Sequence, residues 1–381
     1  MKSLTAEETI NMVAGVFPRL PEDRNLLILV DLPQSADDDN NDWRSRRLMA
    51  AEWTSYLRSG REKLGLQKVE LAAYPEVGAN NADLPAEVFI IREDLPPLAG
   101  FLAEKGEKVV LADLLADTQL IIAPTELSAT APLKNFARKF PFRAATMPGF
   151  NPDMIPALAL DYGEVSRRVE LLKAKLDAAD TAEIEFLVDG TEKHYLQVDL
   201  RFRKAHMSSG RFLQPGTAGN LPSGEAYIVP YEGEGETASL TKGVMPVQIG
   251  EEMVFFDIDK NRAGQVRGGG EEWRRQSEYL VAEPAYGNLA ELGFGVLGDF
   301  GIKPTGRILL DEKLGFHIAL GRSDHFGGVV GPSSFNDPKR VIHLDWIYIA
   351  DIQPRIEIVA IILKNTEVSE IIMSNGRFMV F

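Results

Sequence analysis

The chain has no cysteine in its 381 residues. That absence excludes thiolate nucleophiles, thiolate zinc sites and iron–sulfur clusters, so any metal must be held by imidazole and carboxylate. It also leans toward a reducing compartment. Positive charge is in deficit, with 41 Lys and Arg against 56 Asp and Glu and a net charge of −15. Such a surface repels phosphate backbones and anionic lipid, which argues against nucleic-acid and membrane partners. Long apolar runs are missing too. The longest, Ile358 to Leu363, falls far short of the roughly 20 residues that span a bilayer. The N-terminal stretch to Ile10 carries Glu7 and Glu8 and lacks the apolar region of a signal peptide. These absences point to a soluble cytoplasmic protein. The composition, 45% apolar and 25% charged, is that of a globular chain with a large core.

The first half alternates short apolar runs with helix-like stretches. Leu26–Val30, Val69–Tyr74 and Leu120–Ala123 read as buried strands, and Trp43–Arg58 and Thr130–Lys139 as helices. That alternation predicts βαβ units and a parallel sheet. The acidic stretch Asp37–Asp42 reads as a solvated loop and helix N-cap. Val165, Val169, Leu172 and Leu176 then recur at helical spacing, giving a junction helix over Tyr162–Ala179. Beyond it the period becomes two. Ile184, Phe186 and Val188, then Asp189-Gly190, then Leu196, Val198 and Leu200 form a hairpin pattern. Further strands are expected at Tyr227–Val229, Met253–Ile258, Ile308–Leu310, Phe316–Leu320, Val341–Ala350 and Arg355–Leu363. The expected organisation is an α/β domain over residues 1–178 and a β-rich α+β domain over 179–381.

Histidine is scarce, five in all, yet His317, His325 and His343 fall close together. The triplet His343-Leu344-Asp345 is the sharper signal. On a strand, residues two apart share a face, so His343 and Asp345 project together while Ile342, Leu344 and Trp346 face an apolar layer. A carboxylate beside an imidazole there is costly unless paired or metallated. The bland alternative is a His–Asp hydrogen bond at a sheet edge. His317 sits in a short strand with small Ala319 on its face, which leaves room for a metal. Glu225 follows the turn Asn220-Leu221-Pro222-Ser223-Gly224, and Glu291 lies in the glycine-bordered Ala290-Glu291-Leu292-Gly293-Phe294-Gly295. Gly293, Gly295 and Gly298 match a dinucleotide-binding spacing, but with no apolar strand before them and only a polar break at Asp311 and Glu312 after them. Gly301 to Arg307 lacks the Lys-Ser/Thr pair of a phosphate loop. No HExxH or G-x-S-x-G occurs.

Taken in order, these motifs resemble the M29 family of metallo-aminopeptidases, the thermophilic aminopeptidase T group. The resemblance spans Asp161 to Trp346. It rests on the helix from Tyr162, the Asp189-Gly190-Thr191 hairpin, Asn220 to Glu225, Ala290 to Gly295, Leu314 to Gly321 and Ile342 to Asp345. It implies a thermophilic metalloprotease-like fold, a homodimer, and metal ligation by Glu225, Glu291, His317, His343 and Asp345. The chain departs from the family at Asp324, seven residues after His317, where the family carries a tyrosine.

Five ligands suit two divalent ions (zinc, cobalt or manganese) sharing a bridging carboxylate. A carboxylate not fully engaged, Glu291 or Asp324, would then move a proton from water to the leaving amine of a peptide. The expected activity is release of N-terminal residues from peptides. The competing expectation is mononuclear non-haem Fe(II) chemistry on His317, His343 and Asp345, because dihydroxypyridine dioxygenases resemble the same family. A metal-binding protein without peptidase activity is the third.

Overall fold

The computed structural model describes residues 3–381. Its strands form three sheets, and the chain divides into two compact units. The first comprises the chain up to Ser166 together with Ser208–Ser223 and Arg307–Leu310. The second holds Arg167–Met207, Gly224–Gly306 and Asp311–Phe381. The passage from one to the other falls inside the helix Tyr162–Ala178, the segment taken as the junction. The expected continuous division at 178/179 omits the two later segments that group with the first unit.

The first unit is built on seven strands: β1 (Asn25–Leu32), β2 (Lys68–Pro75), β3 (Glu87–Ile91), β4 (Gly106–Val110), β5 (Leu120–Thr125), β6 (Arg143–Pro148) and β10 (Thr217–Asn220). Their order is β10-β6-β5-β1-β2-β3-β4. Pairing is parallel from β10 through β2 and antiparallel at β3 and β4. The apolar runs that marked β1, β2 and β5 are buried along their length, as expected where helices cover both faces of a parallel sheet. Asn40 caps the helix Asn41–Gly60 by accepting from the backbone N–H groups of Asp42 and Trp43, which satisfies donors that the helix leaves free.

The second unit carries two sheets. The larger, all antiparallel, contains β7 (Thr181–Val188), β8 (Glu192–Asp199), β12 (Lys242–Ile249), β13 (Glu252–Asp259), β14 (Arg262–Gly268), β18 (Ile356–Lys364), β19 (Ser369–Ser374) and β20 (Arg377–Phe378). The β7–β8 hairpin turns on Asp189 and Gly190, with φ of 49° and 69°. Two positive φ values in succession make the turn whose twist matches the strands. The smaller sheet has the order β17-β16-β15-β11-β9: β17 (His343–Ile347), β16 (Phe316–Gly321), β15 (Leu289–Gly295), β11 (Glu225–Ile228) and β9 (His206–Ser208).

Two expectations need correction. Ile308–Leu310 is a helical turn, Ile308–Asp311, not a strand. Three apolar residues cannot distinguish the two, and the Asp311 carboxylate curls the chain by accepting from the N–H groups of Thr305 and Gly306. The strand expected over Val341–Ala350 is confined to five residues at the sheet edge, and Leu344 and Trp346 are half-buried, not packed in a core layer. No helix among the described residues is long and apolar enough to cross a membrane.

Candidate metal centre

The smaller sheet sorts its side chains by face. Cross-strand register pairs Ala226 with Phe294, Ile228 with Leu292, Leu292 with Ile318 and Phe294 with Phe316. These six residues are fully buried, each contributing roughly 1.5–3 kcal/mol where the side chain is Leu, Ile or Phe. An aromatic chain runs from Phe294 to Phe316 to Tyr348 and on to Phe186 of the larger sheet. That is the core face.

The opposite face is chemical. Glu225 pairs with Gly295, Tyr227 with Gly293, Gly293 with His317, Glu291 with Ala319, Ala319 with Asp345 and Gly321 with His343. All five expected ligands therefore project from one side of four adjacent strands, interleaved with Gly and Ala. A register shift between Leu289 and Glu291 turns the acid onto this face while Leu289 stays with Leu320 on the other. A bulge re-aims a side chain in this way. Gly293 is required by contact: a Cβ there would stand 1.9 Å from His317 Nε2. The glycine spacing that mimics a nucleotide motif is thus a seat for an imidazole.

Glu291 is the centre of the arrangement. Its Oε1 lies 3.4 Å from His317 Nε2 and its Oε2 3.3 Å from His343 Nε2. Asp345 Oδ1 is 3.5 Å from the same nitrogen of His343, and Glu225 Oε2 is 3.8 Å from His317 Nε2. Two groups that can hold a metal ion result, Glu225–Glu291–His317 and Glu291–His343–Asp345, with Glu291 common to both. The other ring nitrogens face carbonyls: His343 Nδ1 is 2.7 Å from Arg322 O and His317 Nδ1 3.4 Å from Gly315 O. A carbonyl can only accept, so Nδ1 carries the proton and Nε2 keeps its lone pair for a ligand. Glu225 Oε2 is buried without a hydrogen-bond partner. An orphaned buried oxygen beside an imidazole lone pair fits a cation.

Lys313 was not among the expected site residues. It is buried, and its ammonium contacts both Glu225 Oε1 and Glu312 Oε1. Burial disfavours that charge, but the two carboxylates outweigh it and hold the lysine protonated. Burial, with the charges of Glu225 and Asp345, pushes Glu312 up to about 7 despite Lys313. The polar break that begins at Asp311 and Glu312 therefore brings Glu312 and Lys313 into the site, and only the density of charge before an apolar strand hinted at them. Asp324 is not brought into the cluster. Its side chain is about a third exposed and pairs with Arg322 at 2.5 Å. Burial raises its carboxyl, yet the bonds from Arg322 more than reverse this and keep it ionised.

Without metal, the histidines hold protons among these acids. Burial would lower His317, but the hydrogen bond to Glu291 and the charges of Asp345 and Glu225 raise it to about 9. A raised folded-state pKa stabilises fully below the unfolded value near 6.5 and is lost as pH climbs through about 9. The metal-free protein is therefore expected to lose stability between those limits, by at most about 3 kcal/mol from this residue. Metal-loaded protein, whose imidazoles are already deprotonated, should not. Thermal unfolding with and without chelator across that range checks this, and a chelated His317→Gln variant with the same slope as wild type would refute it.

No protein-family model matches the sequence, and no curated protein does. Solved structures do match. A 2,5-dihydroxypyridine dioxygenase from Pseudomonas putida KT2440 is 14% identical, with 99% of this chain and 98% of that one covered and a TM-score of 0.61. Wild-type AmpT from Thermus thermophilus is also 14% identical, with 98% and 99% covered and a TM-score of 0.54. The chain shares their mixed α/β fold. At that identity the likeness is one of fold alone and favours neither chemistry.

Proposed function

We propose that this chain is a metal-dependent aminopeptidase that releases N-terminal residues from peptides, with two divalent ions held by Glu225, Glu291, His317, His343 and Asp345. The observation that carries the proposal is Glu291, whose two oxygens face two different imidazoles. A carboxylate so placed can serve two ions at once, which suits a divalent pair. Bound there, a divalent pair supplies a water of lowered pKa and polarises the scissile carbonyl. The chain's own residues do the rest. Lys313 neutralises one oxygen of Glu225 and leaves the other for a ligand, and the backbone carbonyls of Arg322 and Gly315 fix the imidazole tautomers. With both oxygens engaged, Glu291 serves better as bridge than as proton carrier. The resemblance of the motifs to the aminopeptidase T group supports the same assignment, with which the fold likeness to AmpT is compatible.

A second reading has support of its own. His206, Tyr227, Phe326 and His325 form a chain of ring contacts that reaches His343, a wall suited to a flat aromatic substrate. One iron held by His317, His343 and Asp345 would then perform ring-cleaving oxygen chemistry, and the dioxygenase fold relative fits it. The deciding experiment combines elemental analysis of protein purified without chelator with two assays. We expect two zinc, cobalt or manganese ions per chain, cleavage of leucine-leading peptides, and loss of that cleavage in Glu225→Ala. One iron per chain, with oxygen uptake on dihydroxypyridines and no cleavage by any metal form, would transfer the assignment.

A further inference from the structure

Tyr227 lies two residues along β11 from Glu225, so both project from the ligand face. In register it pairs with Gly293, which pairs in turn with His317. The three form one row across the sheet whose middle position has no side chain. The ring of Tyr227 is fixed on two sides: His206 stacks on it with centroids 5.4 Å apart, and Phe326 meets it edge-on at 4.9 Å. Its hydroxyl is not fixed at all. Among the described residues it makes no hydrogen bond, whereas every other tyrosine of the second unit has a partner. Tyr195 bonds Glu185, Tyr231 bonds Thr237 O, Tyr279 bonds Arg340 O, Tyr286 bonds Gln276 and Tyr348 bonds Pro246 O. A half-buried phenol with a locked ring and a free hydroxyl, beside a cluster of ligands, is arranged for a partner that comes and goes.

We propose that the Tyr227 hydroxyl donates a hydrogen bond to the substrate carbonyl oxygen as that carbon becomes tetrahedral. The inference rests on the peptidase assignment above. In the step concerned, the oxygen of water bonds the carbonyl carbon and the π pair moves onto the oxygen that Tyr227 faces. The pair returns as the carbon–nitrogen bond breaks, and a proton from the water ends on the leaving amine. Tyr227 keeps its own proton throughout.

The test compares metal-loaded wild type with Tyr227→Phe, which keeps the ring and removes the donor. Three quantities are read: steady-state cleavage of a leucine-leading peptide, calorimetric affinity for the phosphonic acid analogue of leucine, and metal content with the unfolding midpoint. The phosphonate mimics the tetrahedral carbon, and leucine itself is the control ligand. We expect kcat to fall about 10²–10³-fold, the typical worth of one oxyanion donor, with KM nearly unchanged. Phosphonate affinity should weaken by a similar factor, while leucine affinity, metal content and midpoint stay at wild-type values. A variant matching wild type in kcat and phosphonate affinity overturns the role of Tyr227 and leaves the peptidase assignment standing. Loss of metal in the variant overturns it as well, since the hydroxyl would then be structural. Wild-type protein that neither cleaves peptide nor binds the phosphonate refutes the peptidase assignment itself, and the role of Tyr227 with it.

Discussion

Replacing Glu291 by alanine is expected to empty both halves of the metal centre at once, whereas Glu225→Ala or Asp345→Ala should each release one ion. The asymmetry follows from geometry, since Glu291 alone belongs to both ligand groups. Removing it also leaves His317 and His343 without the carboxylate that faces each of them. Metal activation is worth several kcal/mol of transition-state stabilisation, so activity should fall at least about 10³-fold. Elemental analysis after gel filtration reads the stoichiometry directly. Retention of one ion by the Glu291 variant would mean that the acid is not a bridge, and the dinuclear assignment would fail.

The second large effect is expected at Lys313. Its side chain is 4% exposed and that of Glu225 7%, so Lys313→Met leaves a buried carboxylate without its counter-charge. Breaking a buried pair on one side typically costs about 3–5 kcal/mol. We expect a loss of that order in the urea unfolding of chelated protein. The double variant with Glu225→Gln should recover much of it, because an amide needs no counter-charge. Added metal should narrow the deficit of the single variant, since a cation at Glu225 Oε2 takes over part of the lysine's task. A loss below about 1 kcal/mol, the range of exposed pairs, would show that the pair is not buried in solution as it is in the structure.

Much of this centre was legible because strand alternation is a strict rule. His343 and Asp345 two apart, and His317 before small Ala319, were assigned to a common face from the pattern alone, and the register places them there. The turn before Glu225 was legible in its Pro and Gly. What escaped detection did so for physical reasons. The bulge beside Glu291 breaks the period-two pattern, so that acid was named from its glycine-bordered motif and the family resemblance, and its face was not read. Lys313 looks like any surface lysine, since only tertiary packing closes over it. Asp324 looked available, but its neighbour Arg322 takes it up. In the first unit, the runs of β1, β2 and β5 were read correctly, while β10 joins the same sheet from residue 217, a pairing no local pattern announces.

The ligands are held in line by hydrogen-bond ladders across β11, β15, β16 and β17, not by a fixed count of residues along one helix. The intervals between them, from Glu225 to Glu291, on to His317 and then to His343, are filled by other strands, turns and loops. Those intervals are free to lengthen or shorten without moving a single donor atom, whereas one residue inserted within a strand would send its ligands to the core side. A centre of this kind drifts easily in sequence while standing still in space. Its signature is a set of short words in a fixed order at elastic distances, and sheet register is the grammar that keeps them meaningful.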